Sequence, residues 1–376
     1  MNRLEDIQSE EEDSRPRGGP RKAGFGDTQG SKASHSSLGF KARLFRVYYW
    51  MQKDRNSSQF AASLLIVCLF AQIYDLLISP VMKLPFKGSL YSDISAIFDV
   101  IRIYPMVIKS KSRETYWFFM YFPLGIVLIH MVLGFLLDLS LQKTKGRYAK
   151  LFLSIKMLQI LSTLMFWVLL IPAVDFFISI FECSSDTGLH LYDPQLTCWG
   201  GTHSFYCALF SVALGLFIFV TIVISLFYNE SRPSHTDMLT RLDTNQEVYL
   251  VVYRILLVVV SHYTADYSTF QWLTLALHVI ICFHLVKNYQ YFLPYYNDFV
   301  SKTYGACCLG YAWLVGNAIL IKALESDKVR YEGQIIVILV GFIVMWPTAS
   351  YLKNKRVEEI LLLKQQEKLK DDLELD

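Results

Sequence analysis

Hydrophobic residues along this chain form solid blocks of roughly twenty, separated by short polar pieces. A helix rising about 1.5 Å per residue needs that length to cross about 30 Å of hydrocarbon. In lipid the backbone must satisfy its own hydrogen bonds, and a helix does so within one segment. A membrane β-barrel would alternate apolar and polar residues, and unbroken runs such as Leu214–Phe227 do not. The pattern predicts an all-α, polytopic transmembrane helix bundle of about eight spans. These are Phe60–Met82, Tyr116–Leu139, Leu151–Phe181, Phe205–Tyr228, Val248–Tyr263, Phe270–Leu285, Gly305–Ala323 and Ile335–Leu352. The third is overlong and contains Pro172, which predicts a kink or a tilt. The fifth and sixth barely reach the minimum length. Ala312 and Gly316 form a small-xxx-small pair, the pattern of a helix-packing contact.

Charge in the connecting pieces orients the spans, because cytoplasmic loops collect Lys and Arg. Gln142–Lys150 carries Lys143, Lys145, Arg147 and Lys150, whereas Glu182–Ser204 carries neither Lys nor Arg. The loop after Asn229 has Arg232 and Arg241, and Lys353, Lys355 and Arg356 follow the last span. Both chain ends are thus expected on the cytoplasmic side. Lys83–Glu114 and Glu325–Gly333 disagree, being basic where the alternation places them outside. The sequons at Asn56 and Asn229 fall on cytoplasmic sides and are not expected to carry sugar.

Outside the blocks the chain reads as tails and interface segments. Residues 1–58 read as a disordered cytoplasmic tail, mixed in charge and rich in Gly, Ser and Pro up to Ser37. It ends in a basic, aromatic juxtamembrane patch with Lys41, Arg43, Arg46, Tyr48, Tyr49 and Trp50. That patch reads as a solvated linker with some lipid contact. The transmembrane domain covers 59–352. Within it, Ile94, Ile97, Phe98, Ile101, Tyr104 and Ile108 share one helical face, and Pro105 interrupts it. An amphipathic helix lying in the interface fits this segment, with a ninth span as the alternative. Residues 353–376 read as a cytoplasmic helical tail with a short apolar side at Val357, Ile360, Leu361 and Leu363. Such a tail suits a homo-oligomer or a cytoplasmic signalling partner, or else frays.

Composition narrows the function classes. The chain is 53% hydrophobic and only 18% charged, against about a quarter charged in a soluble domain. Membrane lipids are therefore expected neighbours. A net charge of +3 gives no reason to expect nucleic acid. No P-loop, H-E-x-x-H or G-x-S-x-G occurs, so no enzyme and no cofactor is expected.

Five of the seven cysteines, Cys68, Cys207, Cys282, Cys307 and Cys308, lie in or beside apolar spans and read as packing residues. Cys183 and Cys198 flank a loop that charge places outside, where a disulfide would form. Two unpaired thiols are the alternative. Cys183, His190, Cys198 and His203 match no standard zinc spacing, so no metal is expected. The loop ends Cys198-Trp199-Gly200-Gly201-Thr202-His203, and Trp199 and His203 stand out within it. His203 reads as a helix-start or interface residue.

Ionisable residues inside spans mark functional candidates. Asp75 and Arg254 lie deepest and could pair. Lys156 and Asp175 sit near the ends of the third span and could snorkel. His130 and His278 are further candidates.

Two further stretches complete a pattern with the Cys183…His203 loop: Phe227-Tyr228-Asn229-Glu230-Ser231-Arg232-Pro233 and Leu239-Thr240-Arg241-Leu242-Asp243-Thr244-Asn245. Together they resemble the N-terminal membrane region of tiny macrocysts protein B-like proteins, large membrane proteins of protists. The resemblance implies a membrane module that usually precedes a large cytoplasmic part, often with PAS sensor domains or helical repeats. The sequence departs from that pattern at Asp376, so no ligand site is carried over. The resulting expectation is a non-enzymatic sensory or signalling membrane module. The alternative, a channel or transporter for a small solute or ion, is motivated by Asp75 and Arg254. Either sits in a plasma membrane or an endomembrane.

Overall fold

The structure, a computed structural model, describes residues 40–53, 58–81, 112–143, 152–227, 239, 245–264, 268–292, 295, 297–324 and 331–374. The expected tail at 1–39, the amphipathic segment Asp93–Ile108, the basic loop after Lys143 and both sequons lie outside the described residues. Nine helices make up the described fold, with no strands among them. They are α1 (Phe40–Lys53), α2 (Gln59–Val81), α3 (Arg113–Lys143), α4 (Phe152–Ser179), α5 (Gly201–Phe227), α6 (Asn245–Thr264), α7 (Ser268–Phe292), α8 (Asp298–Leu324) and α9 (Tyr331–Glu374).

Helices α2 to α8 are each long and apolar enough to cross a membrane, which makes this an integral, multi-pass membrane protein. The eighth expected span, Ile335–Leu352, forms the first part of α9, which continues unbroken to Glu374. Large apolar side chains crowd the outside of the bundle, with Val212 71% and Phe283 72% exposed. In water such a surface would drive aggregation, whereas lipid tails solvate it. With lipid as apolar as leucine, the helices are held by close packing and by buried hydrogen bonds. Phe166, Phe176, Phe177, Phe210 and Phe217 fill the centre completely.

The third span shows how sequence sets local geometry. Pro172 has no N–H, so the carbonyl four residues back, on Val168, loses its helical partner. Gln72 Nε2 of α2 donates to that carbonyl at 2.7 Å. One turn earlier the chain widens into a π turn over Leu164–Leu169, and Arg254 Nη1 of α6 donates to the Phe166 carbonyl at 2.6 Å. The expected irregularity at Pro172 is therefore a π turn whose carbonyls are served by side chains of two other spans.

Glycine placement follows the closest helix approaches. A Cβ on Gly305 would lie 2.1 Å from the Tyr289 ring, and one on Gly341 would lie 2.1 Å from Trp313 Nε1. Tyr289 passes over Gly305 and donates from its hydroxyl to the Ala349 carbonyl at 2.8 Å, joining α7, α8 and α9. Gly316 meets nothing within 4 Å, so the small pair at Ala312 and Gly316 does not form the expected packing seam here.

The basic, aromatic patch is a packed helix rather than a solvated linker. Its side-chain spacing explains why: Val47, Tyr48 and Met51 share one face of α1 and are buried. Tyr48 stacks on Phe227 at the end of α5, with ring centroids 6.2 Å apart. Gln52 Nε2 donates to the Phe227 carbonyl at 2.7 Å, and Gln159 Nε2 of α4 donates to the Met51 carbonyl at 2.7 Å. These contacts fix α1 to the end of the bundle that also holds Asp138 of α3, which lies 3.8 Å from Arg46. At this end Lys353 of α9 also reaches Asp298 at the start of α8.

Candidate functional site

The opposite end of the bundle is closed by the segment 180–200, a cap built from four converging elements. Cys183 and Cys198 form the expected disulfide. Gly188, in the left-handed region at φ 66°, turns the chain back on itself. The turn lets Ser184 N–H donate to the Leu189 carbonyl at 2.9 Å and Cys198 N–H to the Gly188 carbonyl at 3.0 Å.

Two histidines tie this cap to the third span. A helix leaves its last carbonyls without partners. Asp193 N–H donates to His190 Nδ1 at 3.1 Å, which leaves the proton on Nε2, facing the Ser179 carbonyl at 3.3 Å. Likewise Trp199 N–H donates to His203 Nδ1 at 3.0 Å, and His203 Nε2 donates to the Ile180 carbonyl at 2.9 Å. Burial holds the His190 imidazole below its usual pKa, and the neighbouring His203 pushes the same way. Its hydrogen bond to the Ser179 carbonyl and the charges of Asp193 and Glu182 oppose this. Each ring thus clamps the end of α4, one nitrogen accepting from the cap backbone and the other facing a carbonyl of the helix end, and His203 is the helix-start residue its position suggested. Trp199 sits at φ 61°, a conformation unusual for a bulky residue, with its indole 68% exposed.

Asp193 is the hub of the cap. Its Oδ2 accepts from Arg113 Nε and from Trp117 Nε1, each at 2.9 Å, and its Oδ1 accepts from Gln195 N–H at 3.1 Å. Burial alone would raise this carboxyl, but the three donors and the Arg113 charge outweigh it and hold the group below the usual carboxylate range. Arg113 begins α3, so the cap is pinned to a second span.

Beneath the cap lies a buried cluster of ionisable groups. His262 near the end of α6 stands between two carboxylates. Its Nε2 is 2.6 Å from Glu182 Oε1 in the cap, and its Nδ1 is 3.6 Å from Asp175 Oδ1 in α4. Asp175 is fully buried, so it does not snorkel as expected; Lys156, at the other end of that span, is partly exposed and lies over the Phe152 ring. Asp175 is the fully buried member, and a buried polar group is costly unless it is partnered; Glu182 stays partly exposed, and His262 between them joins cap, α4 and α6 in one polar joint.

Asp75 and Arg254 are both buried, on the packed helices α2 and α6. The described hydrogen bonds of Arg254 run to the Phe166 and Leu250 carbonyls, and its guanidinium lies 4.7 Å over the Phe166 ring. His130 pairs with Ser162 at 3.0 Å, and His278 pairs with Tyr311. These are contacts that knit spans together.

The cap also brings three potential metal donors together. The sulfurs of Cys183 and Cys198 and a ring nitrogen of His203 lie within 4.8 Å of one another. The sulfurs are bonded to each other, and both His203 nitrogens serve the backbone. Metals take thiolates, not disulfide sulfur, so these residues do not fit an ion.

Sequence reasoning did not reach Asp193, His190 as a clamp, Gln72 or His262. Only Gln72 left a readable trace: an amide in an apolar span, beside a proline that strands a carbonyl elsewhere. No protein-family model, curated protein or solved structure matches this chain.

Proposed function

We propose that this chain is a non-enzymatic sensory or signalling membrane module that relays a change at its cap to the helical tail. It has the cap outside and both ends in the cytoplasm. The observation that carries the reading is the joint of Glu182, His262 and Asp175. It links the cap to two spans through a fully buried Asp175, a His262 side chain that is nearly so, and a Glu182 side chain that keeps only a quarter of its surface in contact with solvent. Movement of the cap must break or re-form that joint, which supplies a two-state element. At the other end Lys353 and Asp298 couple α8 to α9, whose continuation leaves the bundle as the tail. The loop free of Lys and Arg, and the likeness of Cys183…His203 to protist membrane modules, support the orientation and the class.

The test reads the tail while the joint is altered. Spin labels at Leu362 of reconstituted protein report tail mobility and separation between copies. Glu182→Gln and His262→Gln should each change that signal without releasing solute from loaded liposomes. An unchanged signal in both variants sinks the relay. The second reading is a channel or transporter, supported by the buried Arg254 and Asp75. Flux of ions or small solutes that Arg254→Gln abolishes would favour it instead.

A further inference from the structure

At the end of the bundle opposite the cap, a cleft of about 310 Å³ lies between α1, α3, α4 and α5. Ligand pockets span roughly 300–1,000 Å³, so this one has room for an acyl chain but not for a whole lipid. Its walls are apolar, from Met131, Phe135, Leu158, Phe219, Val220 and Val223. Along α3 it runs from His130 to Asp138, about 12 Å at 1.5 Å per residue. Met131, Phe135 and Phe219 are also exposed on the flank of the bundle. The cleft thus opens sideways, toward the place of surrounding lipid.

Two charged residues line the cleft. Arg43 of α1 lines it and makes no ion pair among the described residues. Asp138 lines it too and is buried. Its Oδ2 accepts from Gln142 Nε2 at 2.9 Å. Its Oδ1 has no hydrogen-bond donor, the nearest cation being Arg46 Nη1 at 3.8 Å. A buried carboxylate oxygen without a donor is costly. A primary ammonium supplies N–H donors and the opposite charge together. Arg43 offers the planar fork that suits phosphate.

We propose that the cleft holds one acyl chain of an amino-phospholipid, with its phosphate on Arg43 and its primary ammonium on Asp138. The chain of the lipid lies along α3, and its head rests where a basic, aromatic helix meets the membrane surface. The lipid then completes the packing beneath α1 and makes the seating of that helix depend on head-group chemistry.

The test uses the purified full chain in non-ionic detergent, incubated with equimolar phosphatidylethanolamine, phosphatidylcholine and phosphatidylglycerol. Native mass spectrometry reads what stays bound. One phosphatidylethanolamine per chain is expected, about tenfold over either competitor, the effect of one charge-assisted contact. Asp138→Asn should remove that preference, and Arg43→Ala should lower retention of all three. Gly134→Leu places a side chain in the cleft from a glycine whose Cβ direction is open. It should abolish retention while the protein stays monodisperse. Equal retention of the three lipids by the unaltered chain overturns the head-group assignment, and undiminished retention by Gly134→Leu overturns the site. Should Asp138→Asn fail to fold, the phosphatidylcholine arm decides, because that head group differs only in its N-methyl groups.

Discussion

The two ends of the bundle are closed in different ways. At the cap, two histidines meet the carbonyls at the end of α4, and a disulfide and a triply hydrogen-bonded aspartate hold the loop that carries them. At the α1 end, closure rests on side-chain amides and aromatic stacking, and a cleft with an unsatisfied carboxylate oxygen remains. A surface facing an oxidising compartment can be locked covalently, since disulfides persist there. The α1 end has no such covalent link among the described residues. The difference teaches how each end is held: the cap by a covalent staple and a dense hydrogen-bond network, the α1 end by a few amide bonds and ring contacts around an open cleft.

The largest effect that sharpens this contrast is loss of the staple. Cys183→Ser with Cys198→Ser removes a link across a sequence separation of 15, with an expected loss of about 3 kcal/mol. Thermal denaturation in detergent should show a lower midpoint for the variant, and dithiothreitol should lower the unaltered protein to match. A variant as stable as the parent would break the claim that the cap is covalently locked. Next comes Asp193→Ala, which strips the partner from Trp117 and Arg113 together. An expected loss of about 2 kcal/mol should appear with quenching changes at Trp117. Smaller again, Gln159→Leu at the α1 end removes one donor to the Met51 carbonyl, for about 1 kcal/mol. If Gln159→Leu cost as much as the cysteine pair, the two ends would be equally rigid.

The smallest effect is a pH dependence confined to the cap. His190 titrates lower in the folded cap than its ordinary value of about 6.5, so the folded state binds fewer protons than the unfolded. That stability is present above about pH 6.5 and is lost as acidification passes through the lowered value. Asp193 acts the same way further down, losing its contribution as pH falls below its ordinary value of about 3.9. Hydrogen exchange at the amides of His190, Leu191 and Leu196 should therefore speed up between about pH 7.5 and 5, after correction for intrinsic rates. Amides of α1 should not share that change.

Seven spans were legible because their length and solid apolar character have one physical use. The staple was legible because Cys183 and Cys198 bracket a loop without Lys or Arg. The Pro172 irregularity was legible as a place, but not its remedy, since Gln72 lies 96 residues from the carbonyl it serves. Asp193 was missed for the same reason: Arg113 and Trp117 lie 80 and 76 residues away. Periodicity reports which face a residue takes on its own helix, and these partners are chosen by how helices are arranged. Gly305 and Gly341 show it again, because the small residues that matter face a ring, not another small residue. The α1 patch was misread because its apolar face, Leu44, Val47, Tyr48, Trp50 and Met51, is interleaved with Arg43, Arg46 and Tyr49 on a short helix.

The 44 residues of α9 form a rod of about 66 Å. From Lys353 onward, roughly 33 Å of that rod extends past the last contact with Asp298. A pivot of about 10° at that contact would swing the far tip by roughly 6 Å, using the same rise per residue. Displacements too small to notice among packed spans would therefore arrive at the tip several times enlarged, large enough to make or break contact with whatever stands beside it.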